Sequence, residues 1–139
     1  MSLKYRFLDE GRGLYWTASG AVSGADWIAE ITALRLRVDR TIPVLYVFID
    51  YGAISEWKIS AQEIRQLGEM RSSSYERRLA GRVTVTYAPS DLSFGIARMW
   101  ETIAERPEWE TAAFRERPLA IAWLRQRVAE RFGFLISLT

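Results

Sequence analysis

At 139 residues the chain has room for one domain with a sizeable core and too little for two. It contains no Cys and no His, and no Asn occurs anywhere along it, which excludes thiol nucleophiles, Ser-His-Asp and Cys-His triads, Cys/His zinc sites and imidazole proton shuttles. The net charge of +2 arises from 17 Arg and 2 Lys against 17 acidic residues, too small an excess to argue for nucleic acid.

Carboxylate, Tyr, Lys and Arg chemistry stays open, as does a hard-cation site of Asp, Glu and backbone oxygens. Neither has a signature here, so no cofactor, no metal and no enzymatic activity is expected. Charges interrupt the apolar residues of the first thirty positions, and no stretch approaches a membrane-spanning length. A cytoplasmic location is expected.

Lys4 to Asp9 and Leu14 to Val22 flank the polar glycine turn Glu10-Gly11-Arg12-Gly13 and read as an antiparallel hairpin that opens a sheet. Ser23 suits the cap of the next helix, with Asp26 completing a weak capping box and Trp27, Ile31, Leu34 and Val38 as its buried stripe. That helix should end near Arg37 to Arg40. Ile42-Pro43-Val44-Leu45-Tyr46-Val47-Phe48-Ile49-Asp50 has almost no polar alternation and predicts a strand over Val44 to Asp50 buried on both faces, the habit of α/β sheets, whose ligands sit beyond the carboxyl ends of the strands.

Tyr51 to Ile59 reads as a loop, and Ser60-Ala61-Gln62-Glu63 as a capping box opening a second helix with Ile64, Leu67 and Met70 inward. Arg82 to Tyr87 alternates like a strand. Pro89-Ser90-Asp91 starts a third helix with Leu92, Ile96, Met99 and Ile103 on its core face. Pro107 breaks that helix, Thr111 to Arg115 reads as a short strand, and Pro118 suits the first turn of a last helix through Arg131. The order is ββαβαβαβα. Phe134 to Leu138 is apolar and β-prone, so the tail should pack on the body, add a strand, or serve as an edge for a partner.

Four features resemble the SpoIIAA-like family, relatives of the STAS fold of anti-sigma-factor antagonists with a further relation to Sec14-type lipid-binding domains. They are the hairpin ending Leu14-Tyr15-Trp16-Thr17-Ala18-Ser19-Gly20-Ala21-Val22, the aliphatic strand ending at Asp50, the strand Arg82-Val83-Thr84-Val85-Thr86, and the helix containing Leu119-Ala120-Ile121-Ala122-Trp123-Leu124. The resemblance covers nearly the whole chain and implies its fold. In the anti-sigma antagonists a phosphorylatable Ser follows the Asp at the end of this strand. Here Tyr51-Gly52-Ala53-Ile54 follows Asp50, and Ser55 comes too late to match, so that switch does not carry over.

If Asp50 ends a strand, it can receive backbone donors, hold a cation, contact a partner, or simply cap a turn. Ser90 and Asp91 can face an anion or act as an ordinary N-cap. Together with Tyr51 and Ser55 they would share one rim, where two carboxylates a few ångströms apart cost roughly 1 kcal/mol or more. Such a rim suits a protein surface or a neutral ligand better than phosphate. Ile54 and Trp57 would add apolar area to it, or pack back on the body. Arg71, Arg77, Arg78 and Arg82 with Tyr75 could form a basic patch, but Glu76 interrupts it and a solvated helix end explains it, so nucleic acid is disfavoured.

The fold expected is therefore one α/β domain spanning 1–139, a mixed sheet of about five strands with the antiparallel hairpin at one edge and largely parallel strands elsewhere, and about four helices packed mainly on one face with others along the sheet's rim. Its leading function is that of a non-catalytic binding or regulatory module acting on a protein partner, or on itself, through Asp50, Tyr51, Ser55, Trp57, Ser90 and Asp91. The alternative is a carrier of a small apolar or lipid-like ligand near Tyr46, Phe48, Met99 and Trp100, against which stands a simple filled core.

Overall fold

Ser2–Leu8 (β1) and Gly13–Ser23 (β2) form the expected antiparallel hairpin, in register from Ser2 opposite Ser19 to Leu8 opposite Gly13. Asp9, Glu10 and Gly11 all have positive φ and reverse the chain in a single 3-10 turn. The turn is held from outside: the Asp9 carboxylate accepts from the Tyr46 hydroxyl and from the Ser137 backbone N–H, and Arg12 Nε donates to the Asp9 carbonyl at 3.0 Å. Gly13 is required by close approach, because a Cβ there would lie 2.1 Å from Tyr46 Cζ.

The computed structural model describes residues 2–35, 44–72, 82–103 and 109–139. After the hairpin come Gly24–Arg35 (α1), Tyr46–Lys58 (β3), Ala61–Ser72 (α2), Val83–Tyr87 (β4), Asp91–Ile103 (α3), Glu110–Phe114 (β5) and Arg117–Phe132 (α4). The five strands lie in chain order, with β1 antiparallel to β2 and every later neighbour parallel. The expected end of the first helix, the basic turn at Arg77 and Arg78 with Tyr75, and the break at Pro107 fall outside the described residues, as do the side chains of Ile31, Leu34, Met70, Arg71 and Ile103.

Local chemistry explains the helix starts. The Ser23 hydroxyl accepts from the Asp26 N–H at 3.1 Å, Ser60 and Glu63 exchange both bonds of a capping box, and the Ser90 hydroxyl accepts from the Ser93 N–H at 3.1 Å. Each satisfies a donor that the first helical turn leaves open. Pro118 occupies the first turn of α4, and Gly133 at φ 77° ends that helix in the left-handed conformation.

Three helices, α1, α2 and α3, pack on one face of the sheet, the main face expected, and α4 covers the opposite face rather than the rim. Tyr46 and Phe48 of β3, with Val83 and Val85 of β4, point to the face filled by Ala120, Ile121, Leu124 and Val128 of α4 and by Ile136 and Leu138 of the tail. The alternate residues point the other way. Leu14, Trp16 and Val47 form one patch there, and Ala18, Val22 and Tyr51 pack with Trp27 of α1, Leu67 of α2 and Ala97 of α3. The tail adds no strand and packs on the body, as its apolar pattern allows.

Two corrections concern the elements themselves. Residues Tyr51 to Lys58 are strand, not loop: β3 runs on past Asp50, paired with β2 to the Ser23–Lys58 pair. Two bulges hide this from the sequence. From Thr17–Asp50 to Ser19–Ala53, and again from Gly20–Ile54 to Ala21–Glu56, β3 uses one residue more than β2, so the alternation of period two is twice reset. The third helix is also rotated from its expected setting. Ser93 and Ala97 are buried and Trp100 is half-buried, while Leu92 is 59% exposed and Met99 42% exposed.

Candidate functional site

Asp50 sits where the wide sheet narrows. Pairing of β3 with β4 stops at Asp50–Tyr87, and that of β4 with β5 at Tyr87–Phe114, while β2 and β3 continue as a two-stranded ribbon. The first bulge falls immediately after Asp50 and is fixed by it: Asp50 Oδ1 accepts the Gly52 N–H at 2.8 Å. A Cβ on Gly52 would lie 2.9 Å from Asp50 Oδ1 and 3.1 Å from Tyr87 Cε2. The turn-capping alternative for Asp50 is thus realised, inside a strand rather than beyond its end.

The other carboxylate oxygen of Asp50 faces the α4 side of the sheet. Asp50 Oδ2 accepts from the Tyr15 hydroxyl at 2.9 Å, and Arg117 at the start of α4 donates to the same hydroxyl oxygen at 3.4 Å and to the Thr139 carbonyl at 3.3 Å. Tyr15 and Phe48 stack in parallel with centroids 5.1 Å apart. Arg6 lies 5.0 Å over the Tyr15 ring and Arg117 lies 5.6 Å from the Phe48 centroid. Partial burial pushes the Tyr15 phenol above its ordinary value; Arg117 opposes that shift and the Asp50 charge adds to it. A tyrosine so held is a donor to Asp50, not a base.

Tyr51 and Trp57 lie on the opposite face. Their rings are 5.0 Å apart, edge to face, and both meet Trp27 of α1, at 5.9 Å and 6.3 Å. Trp57 Nε1 donates to the Ser93 hydroxyl at 2.8 Å, which fastens the ribbon to the first turn of α3. Ser93 is buried, so this bond fixes the rotation of α3 that leaves Leu92 and Met99 outside. Trp57 therefore packs back on the body.

The six expected site residues do not converge. Asp50 belongs to the Tyr15 and Arg117 cluster on one face, Tyr51 and Trp57 to the aromatic cluster on the other, and Ser55 is an exposed residue of the ribbon near its second bulge. Ser90 is an N-cap, and Asp91, with its side chain 93% exposed, pairs with Arg115, which holds its carboxyl below the usual range. Two carboxylates facing each other on one rim are not formed. Among the described residues no three acidic side chains come together in a way that would hold a metal ion. The expected carrier lining is split as well: Tyr46 and Phe48 are fully buried under α4, Trp100 packs on the far face and Met99 is exposed.

Among solved structures, a DUF3478-family protein from Shewanella loihica PV-4, described as uncharacterised and as having a SpoIIAA-like fold, superposes with a TM-score of 0.56 over 88% of this chain and 92% of its own, at 16% identity. The fold of this chain is SpoIIAA-like. No protein-family model matches the sequence, and no curated protein matches it. No helix among the described residues is long and apolar enough to cross a membrane.

Within this SpoIIAA-like frame, the position after Asp50 holds Tyr51, a buried ring, and the exposed Ser55 lies farther along the ribbon. Sequence reasoning missed Tyr15 and Arg117 as partners of Asp50. Their separations of 35 residues from Asp50 to Tyr15 and 102 from Tyr15 to Arg117 place them together only through sheet register and helix docking. The one local cue was an Arg directly before the helix-starting Pro118.

Proposed function

We propose that this chain is a non-catalytic cytoplasmic binding module that works through protein contacts on the surface formed by the outer half of β3 and the helix α3. The observation that carries this reading is the apolar side of α3: Leu92 and Met99 stand out from the body although the same helix buries Ser93 and Ala97. α3 packs Phe94, Ala97 and Trp100 on the body and still leaves Leu92 and Met99 exposed, so it carries more apolar surface than its own core covers. Ser55 on the outer half of β3 and Asp91 in the first turn of α3, two of the residues read from the sequence, are exposed, and Trp57 ties the two elements together through Ser93.

The internal commitments of the ionisable groups support the non-catalytic part. Both oxygens of Asp50 are engaged by Gly52 and Tyr15, Asp91 is paired with Arg115, and the Tyr15 phenol is biased toward its protonated form. General acid–base work needs a group free to exchange a proton with a substrate.

A photo-crosslinking residue placed at Leu92 or at Ser55, in the cells that make the protein, tests the reading. Adducts with protein at these positions and none at Ala122, an exposed site on α4, are expected. Absence of protein adducts at both positions overturns it.

A further inference from the structure

The outward face of α3 has a composition that a second copy of itself fits. With about 100° of rotation per residue, Leu92, Gly95 and Met99 form one outward stripe and Asp91 and Arg98 the stripe beside it. Leu92, Met99, Asp91 and Arg98 are all well exposed, Arg98 at 65% of its side chain.

Gly95 stands at the centre of this face. A glycine inside a helix costs about 1 kcal/mol relative to alanine, and its usual internal reason, a neighbour that a Cβ would strike, is missing: a Cβ built on Gly95 meets nothing within 4 Å. A bare backbone in the middle of an exposed apolar stripe lets another helix approach closely.

The charges select the occupant and its direction. Asp91 precedes Gly95 and Arg98 follows it, so in an antiparallel crossing at Gly95 the Asp91 of one copy comes beside the Arg98 of the other, twice. Leu92 at the same time faces the other copy's Met99. A two-fold parallel crossing would instead lay the charged stripe of one copy against the Leu92 and Met99 stripe of the other. A two-fold contact of this kind is self-complementary and closes after two copies.

We infer that two copies of this chain pair through α3, antiparallel and crossing at Gly95. This rests on the binding-module reading above and names the partner of that surface. Asp91 remains within reach of its own Arg115 and Arg98 lies 3.8 Å from Glu101, so the intermolecular pairs add to existing networks rather than stand alone.

The chain has no Cys, which makes a disulfide test clean. Under mild oxidation Gly95→Cys should form a covalent dimer rapidly, because residue 95 is the one position on the face that meets itself, whereas Ala122→Cys should not. In sedimentation, Asp91→Arg and Arg98→Asp should each weaken the dimer up to about tenfold, as exposed ion pairs do, and the double exchange should recover it. Gly95→Gln should raise the melting temperature, by the helix preference, while weakening the dimer. Those opposite movements separate an interface from a folding defect. A wild-type chain that sediments as a monomer at 100 µM, or Gly95→Cys that oxidises no faster than Ala122→Cys, overturns the inference. If that happens while Leu92 still crosslinks to other proteins in cells, the binding reading stands and only the self-pairing falls.

Discussion

Asp50 acts as the pin of a bulge. Its two oxygens tie the Gly52 N–H on its own strand to the Tyr15 hydroxyl on the neighbouring one, and Arg117 meets that hydroxyl from α4. Replacing Asp50 by Ala leaves the partly buried Tyr15 hydroxyl short of an acceptor, while the exposed Gly52 N–H can turn to water, and a buried group orphaned in this way costs about 1–3 kcal/mol. Asp50→Ala should therefore lower the unfolding free energy by that amount, seen as a lower urea midpoint at unchanged slope, and Asp50→Asn, which keeps one acceptor oxygen, should lose less. A loss for the Asn variant equal to that of Ala would mean that the charge near Arg117, not the acceptor geometry, is what the fold uses. The Tyr15 phenol is subject to the same coupling, since the Asp50 charge helps to keep its proton in place.

At the scale of elements, the sheet and α4 are held together by an ion-pair cluster as well as by their core. Arg127 bonds both oxygens of Glu110, at 2.6 Å and 3.0 Å, and Arg131 reaches Glu110 Oε1 at 3.4 Å and the Arg82 carbonyl at 3.1 Å, joining α4 to β5 and to the start of β4. The bond from Arg127, opposed by some burial, holds the Glu110 carboxyl below its ordinary 4.5. A carboxylate with a lowered folded pKa contributes stability above the unfolded value, and that contribution disappears as pH falls from about 4.5 through the lowered one. Glu110→Gln should cost about 1 kcal/mol at neutral pH, the side chain being partly exposed, and should flatten the acid limb of the stability curve; an acid limb parallel to wild type would place the effect elsewhere. Elements whose signals are local were legible in the sequence: the hairpin from its glycine turn, three helix starts from Ser23, Ser60 and Ser90, and α4 from Pro118. The second half of β3 was not, because its two bulges turn an alternating strand into what reads as loop. The rotation of α3 was hidden for a different reason, since the residue that fixes it, Trp57, lies on another element and acts through a hydroxyl that hydrophobic periodicity ignores.

For the molecule as a whole, the decisive contrast lies between two apolar surfaces: the tail, whose destination the sequence left open, and the outward face of α3, whose Leu92 and Met99 the sequence placed in the core. The tail belongs inside. Ile136 and Leu138 are buried against the α4 side of the sheet, the Ser137 N–H donates to Asp9 of the hairpin turn, and Arg125 and Arg117 donate to the Leu138 and Thr139 carbonyls. Burial of two aliphatic side chains of this size is worth about 1.5–3 kcal/mol each, reduced by the entropy of ordering the segment. Removing residues 134–139 should thus cost on the order of 3 kcal/mol and lower the melting temperature by roughly 10 °C. It should also uncover Tyr46, whose hydroxyl shares Asp9 with that tail. Substitutions at Leu92 or Met99 should do the reverse, leaving the melting temperature of the dilute chain within about 1 °C, as exposed positions do, while changing what the protein binds. If tail deletion instead altered association at unchanged stability, the assignment of the tail to the core and of α3 to the surface would have to be exchanged.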